Sequence, residues 1–263
     1  GLYVYKKHDP LLQLTLISLI TIILIGLVLS YTRAAWLSVL ASVGIAFLLY
    51  YKISWKPLAA IAVLGIGGVL YKWDNIQMEL ERNKYEHTTE AFDERLQSAA
   101  NISTDASNLE RINRWSCAIA MFKERPIVGY GPGTYAFEYA PFQRPENLTI
   151  ISTNFGDMGN AHSEYLGALA ETGFFGLLSF LAVVAAIFYT GISLYHRLDR
   201  TQKADRIIVL SSIMALSTYF IHAFLNNYLD TDKAAVPIWG ICAIWLVYEF
   251  EIMPPNDQSI VKD

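Results

Sequence analysis

The segment Gly159-Asn160-Ala161-His162-Ser163-Glu164-Tyr165-Leu166 sets a histidine and a carboxylate in the last polar turn before a long apolar run, Leu166 to about Tyr189. An imidazole titrates near neutral pH, so a histidine at a boundary between water and lipid is suited to proton transfer there. Glu164 is placed to assist or replace it as a base, although a carboxylate in a first helical turn also serves the helix dipole. A lone histidine at a helix start also caps the helix or satisfies a carbonyl, so both readings of His162 stay open.

Arginines form the second group. Arg33 interrupts an otherwise continuous apolar stretch from Leu11 to Tyr50. A guanidinium there either snorkels to the lipid headgroups or holds an anion at the membrane face with its planar fork. Arg111 and Arg114 lie one helical turn apart with Trp115 beside them, either solvated on a polar helix or binding a ligand. Trp115, Ile119 and Phe122 follow three- and four-residue spacing, which predicts a packing stripe. The run Gly129-Tyr130-Gly131-Pro132-Gly133 lacks the Lys-Ser/Thr ending of a phosphate loop, and Pro132 removes an amide donor. It predicts a sharp chain reversal that returns a polar domain to the membrane. His222 sits in an apolar run and reads as packed or hydrogen-bonded rather than catalytic. His8, His87 and His196 have no telling neighbours, and no His, Cys, Asp or Glu pair has metal-ligand spacing.

The elements that must position these groups follow from composition. The chain is 54% hydrophobic, yet its charges crowd into a few stretches, the pattern of a membrane protein with one sizeable polar domain. The net charge of −4 gives no reason to expect nucleic acid. The two cysteines read as unpaired, Cys117 in the polar domain and Cys242 in an apolar helix. No secretory signal is visible and no initiator methionine is present, so the chain reads as starting inside a longer protein.

Six apolar runs read as spans: Leu11–Tyr31, Ala34–Tyr50, Pro57–Tyr71, Leu166–Tyr189, Ile207–Leu225 and Ala234–Phe250. The third is short and glycine-rich. Lys6 and Lys7, Lys52 and Lys56, and Arg197, Arg200, Lys203 and Arg206 fall on one side of these runs. The positive-inside rule puts that side, and both chain ends, in the cytoplasm. The segment Lys72–Tyr165 then lies outside, with nine Lys or Arg against fourteen Asp or Glu, a net of −5. It reads as an amphipathic helix from Trp73 to about Gln97, a polar loop over Ala99–Asn108, a second helix over about Leu109–Lys123 that stops before Pro126, and an irregular stretch to Gly159. The fold class is an all-α integral membrane protein of about six transmembrane helices with a large, mainly helical outer loop domain. Its parts are residues 1–71, 72–165, 166–253 and a tail over 254–263.

Taken in order, three blocks resemble the O-antigen ligase and polymerase superfamily of bacterial envelope glycosyltransferases. Ser30-Tyr31-Thr32-Arg33-Ala34-Ala35-Trp36 is similar to that family's arginine turn between spans. Arg111 through Trp115, followed by Pro126-Ile127-Val128-Gly129-Tyr130-Gly131-Pro132-Gly133, is similar to its Arg-x-x-x-Trp and Pro-x-x-Gly-x-Gly. Ala161-His162-Ser163-Glu164-Tyr165-Leu166, continued by Glu171-Thr172-Gly173 and Gly176, resembles its His-Asn-x-x-Leu and Gly-x-x-Gly. Ser163 departs from the pattern, which commonly has Asn there, and Arg114 is an additional arginine.

The resemblance implies an enzyme of the bacterial inner membrane with the loop over residues 72–165 in the periplasm. It implies transfer of a glycan from undecaprenyl pyrophosphate to an acceptor hydroxyl, on lipid A core or another glycan, without a metal or other cofactor. In that reading Arg33 and Arg111 stabilise the pyrophosphate leaving group and His162 takes the acceptor proton, while Arg114, Glu164 and Trp115 contact substrate. Membrane lipids are the other expected partner. A polymerase or a protein O-oligosaccharyltransferase shares the same pattern. A transporter would place its charges nearer mid-membrane, and a non-catalytic scaffold would tolerate loss of His162 and Arg33.

Overall fold

The computed structural model of the protein describes residues 10–30, 32–54, 56, 71, 106–148, 152–153 and 159–252. These residues form helices and turns, with no strand among them: α1 (Pro10–Leu29), α2 (Arg33–Tyr51), α3 (Ala106–Glu124), the single turn α4 (Tyr135–Glu138), α5 (Glu164–Arg197), α6 (Lys203–His222) and α7 (Asp232–Val247). Short 3-10 turns at Ala140–Phe142 and Pro145–Asn147 follow α4. Five helices are long and apolar enough to cross a membrane: Pro10–Leu29, Ala34–Tyr51, Glu164–Arg197, Lys203–His222 and Asp232–Phe250. The chain is therefore an all-α integral membrane protein, as expected. Apart from Tyr71, the expected third span lies outside the described residues. So do the expected outer helix Trp73–Gln97, His8, His87 and the tail.

Apolar side chains predict the spans but not their ends. Hydropathy marks Leu166–Tyr189, whereas α5 runs from Glu164 to Arg197, because hydropathy registers the part that suits lipid and not the hydrogen-bonded turns beyond it. Gly173, at φ 68° and ψ −162°, breaks α5 internally. Only glycine takes such a backbone at little cost.

The chain divides into two units. One comprises Gly1–Ala46, Leu181–His222 and Tyr228–Asp263. In it the Trp36 indole N–H donates to the Leu27 carbonyl at 2.8 Å, satisfying one of the backbone acceptors that the end of α1 leaves open. Ser38, Ser42 and Ala46 make a buried stripe of small residues along α2. Gly191 faces Trp245 so closely that a Cβ would stand 2.3 Å from the indole ring. At one end of this unit Arg197 pairs with both oxygens of Glu249 at 3.0 and 2.5 Å. There too, Tyr248 donates to Asp205 at 2.9 Å, and Arg206 donates to the Leu198 carbonyl at 2.7 Å.

The second unit, Phe47–Phe180 with Ala223–Asn227, holds the polar segment and the first part of α5. Its core joins Cys117, Ala118 and Met121 of α3 to Tyr135, Tyr139, Ala161 and Ala170, with Tyr130, Phe142 and Leu166 packed against them. Tyr135 and Tyr139 stack at 5.4 Å, and the Tyr135 hydroxyl donates to the Arg114 carbonyl at 2.7 Å. The buried face of α3 thus differs from the expected stripe: Ile119 is 41% exposed, and Trp115 and Phe122 are half-buried. The face is set by Glu110, Asn113, Arg114, Cys117 and Met121, three and four residues apart, because buried polar partners claim its first turns.

Candidate active site

Three devices within the second unit position His162. Ser163 caps α5: its hydroxyl accepts the Leu166 N–H at 3.3 Å and its carbonyl accepts the Gly167 N–H at 2.8 Å. This accounts for serine at a position where asparagine was the expectation, since both residue types serve as N-caps. His162 itself adopts a left-handed backbone, φ 48°, which is uncommon for a residue with a side chain. Its N–H donates to the Asn160 side-chain carbonyl at 3.0 Å, and its carbonyl accepts a long bond, 3.4 Å, from the Trp115 indole. The peptide groups on both sides of the strained residue are thereby held.

Electrostatics then set its protonation. Burial pushes the His162 imidazole below the usual histidine range, and the positive charges of Arg111 and Arg114 push it further, against an opposing pull from Glu110. The imidazole is neutral at pH 7 and free to accept a proton.

Arg114 is not a solvated surface residue. Only 4% exposed, it donates from Nε to Glu110 at 2.6 Å and from Nη2 to Thr153 at 2.9 Å, with its guanidinium 3.9 Å from the centre of the Tyr139 ring. Ser152 hydrogen-bonds the other Glu110 oxygen, and Asn113 donates to Gln143 at 2.9 Å. A Cβ on Gly159 would stand 1.6 Å from Arg114 Nη1, so this position must be glycine for the guanidinium to fit. Nη1 is buried without a hydrogen-bond partner among the described residues. Within the same core, burial raises the Cys117 thiol to about 11, which keeps it protonated and inert at neutral pH.

The glycine run does reverse the chain, and it docks on the broken turn of α5. The amides of Tyr130 and Gly131 donate to the Ala170 and Glu171 carbonyls at 3.2 and 2.7 Å, and Phe174 N–H donates to the Pro126 carbonyl at 2.8 Å. The Glu171 carboxylate accepts the amides of Gly133 and Tyr135 at 2.9 and 3.0 Å. Backbone groups released by the break at Gly173 are thus satisfied by the turn. The approach is close enough that a Cβ on Gly129 would stand 2.4 Å from the Glu171 backbone.

Of the residues singled out from the sequence, Arg111, Arg114, Trp115, His162 and Glu164 belong to this unit. The charges of Arg111 and Arg114 act on His162, and Trp115 binds its carbonyl. Glu164 opens α5, donating its N–H to the Ala223 carbonyl at 2.9 Å. Arg33 opens α2 in the other unit, and its side chain lies outside the described residues. Sequence reading gave no role to Glu110, Asn160 or Glu171. Glu110 carried a signal, its position four residues before Arg114, whereas the other two act through loop geometry that no spacing announces.

An all-α membrane protein that carries a neutral histidine flanked by arginines at the start of a spanning helix has the parts for acid–base chemistry at a membrane surface. The O-antigen ligase family model matches residues 17–181, more than half of the chain, and the chain belongs to that family. Membership supports a glycosyltransferase type of enzyme. No curated protein and no solved structure matches the chain.

Proposed function

We propose that the protein transfers a glycan from undecaprenyl pyrophosphate to an acceptor hydroxyl, as an O-antigen ligase does, at the periplasmic face of the inner membrane. Both chain ends are cytoplasmic in this reading, and residues 72–165 are periplasmic. The observation that carries it is His162, neutral beside Arg111 and Arg114 at the mouth of a membrane helix, in a chain of this family. The acceptor oxygen attacks the anomeric carbon while the bond from that carbon to the pyrophosphate oxygen breaks, so the centre inverts. The acceptor proton passes to His162, and the charge gained by the pyrophosphate is met by Arg33 and Arg111. Arg114, fixed by Glu110, offers Nη1 to the same anion, and Glu164 borders the acceptor. Trp115 contacts substrate in this reading and also holds His162 through its indole N–H. A polymerase or protein O-oligosaccharyltransferase differs only in the acceptor.

The test uses the protein in proteoliposomes with a labelled undecaprenyl-pyrophosphate glycan and lipid A core. Wild type is expected to move the label to lipid A core, and His162→Ala to slow transfer roughly 10²–10⁴-fold. Full activity in both His162→Ala and Arg33→Ala overturns the mechanism. Lengthened glycan still on undecaprenyl identifies a polymerase, and donor carried across the bilayer intact identifies a transporter. The rate should also hold as pH falls to the usual histidine range and decline only below it. The lowered pKa keeps the base form populated there, and a kcat/KM profile against pH reads this directly.

A further inference from the structure

The turn that docks on α5 carries an apolar tip, Ile127 and Val128, whose side chains are 63% and 73% exposed. The bond from Phe174 N–H to the Pro126 carbonyl holds the backbone of that turn at the start of the segment that carries Phe174 and Phe175, both exposed. A Cβ on Gly173 would stand 2.4 Å from the Ile127 carbonyl oxygen, so the register is tight. These four residues form one apolar patch at the break in α5.

Its position along the helix tells what covers it. Residues 174–197 are about 36 Å of helix, enough to cross a hydrocarbon layer of about 30 Å and end at His196 and Arg197. The ten residues of α5 that precede them include Glu164 and Glu171, and the Glu171 carboxylate is bound to the turn. The break is therefore where a helix half-buried within the second unit gives way to one with exposed apolar side chains, and the patch continues that apolar surface. Basic and aromatic residues bracket the tip: Lys123 and Arg125 are exposed before it, and the Arg125 guanidinium lies 4.3 Å over the ring of Tyr130 after it. Apolar residues framed by arginine and tyrosine are the composition of a membrane-interface anchor.

We propose that Ile127 and Val128, together with Phe174 and Phe175, insert into the phospholipid bilayer at the border of its acyl chains, with Arg125 at the level of the phosphates. The turn is then a second membrane attachment for the polar segment, besides the span that follows it. This inference rests on α5 as a membrane helix and is independent of the reaction proposed above.

Spin labelling tests it. A nitroxide at Val128→Cys is compared with one at Glu146→Cys, an exposed position in the same unit. Both variants carry Cys242→Ala and retain Cys117, which is buried and protonated. The protein is placed in nanodiscs of phosphatidylglycerol and phosphatidylcholine without any isoprenoid. Molecular oxygen, which concentrates in lipid, is expected to relax the Val128 label more than an aqueous nickel chelate does, with the order reversed at Glu146. Equal access of the chelate to both labels overturns the proposal by placing the tip in water. Protection of the Val128 label from both reagents also overturns it, because protein and not lipid would then cover the tip.

Discussion

Each unit contains an arginine–carboxylate pair, and the two pairs differ mainly in their access to water. Arg114 and Glu110 are 4% and 6% exposed and belong to a network that includes Ser152, Thr153 and Tyr139. Arg197 and Glu249 pair bidentately, where Arg114 reaches Glu110 through Nε alone, yet they are 35% and 29% exposed. A charge withdrawn from water depends on its partner, whereas an exposed pair exchanges one set of hydrogen bonds for another with water. Ion pairing by itself therefore says little here; burial decides which pair the structure cannot lose. The buried pair bears on the protonation of His162, Arg114 lowering its pKa and Glu110 raising it.

Glu110→Ala should have the largest effect, about 3–5 kcal/mol of lost stability, because it strands the buried Arg114 charge. A denaturant titration of the purified protein measures it. Glu171→Ala comes next. Glu171 is half-buried and accepts two backbone amides, so its removal should cost about 1–3 kcal/mol and loosen the docked turn. Faster amide hydrogen exchange confined to the region of residues 130–135 is the expected signature. Arg197→Ala should cost only about 0–1 kcal/mol, and less still at high salt, where exposed pairs are screened. Losses of equal size for Arg197→Ala and Glu110→Ala would erase the contrast, while salt sensitivity of the first alone would sharpen it.

The membrane helices are legible in the sequence because a span needs about twenty apolar residues in a row, and that requirement is local. His162 and Arg111 are legible as chemistry because a titratable group beside an apolar helix and a cation one turn from another stand out by type and spacing. The packing of α3 is not legible in the same way. Trp115, Ile119 and Phe122 have the spacing of a core stripe, yet the helix buries Glu110, Asn113 and Arg114 instead. Periodicity assumes that apolar residues claim the interior, and that assumption fails where a polar network satisfies itself.

The sequence by itself determined the fold class, the apolar spans and the family, since each depends on residue type and order along the chain. Only the tertiary structure decided that Arg114 is buried, that His162 is held in a left-handed turn and neutral, and that the glycine run locks onto the break at Gly173. These properties depend on what surrounds a side chain or amide: the charges near it, the water excluded from it, and the carbonyls within its reach. Residues as far apart as Tyr130 and Ala170, or Trp115 and His162, supply those surroundings, and no local pattern records their meeting.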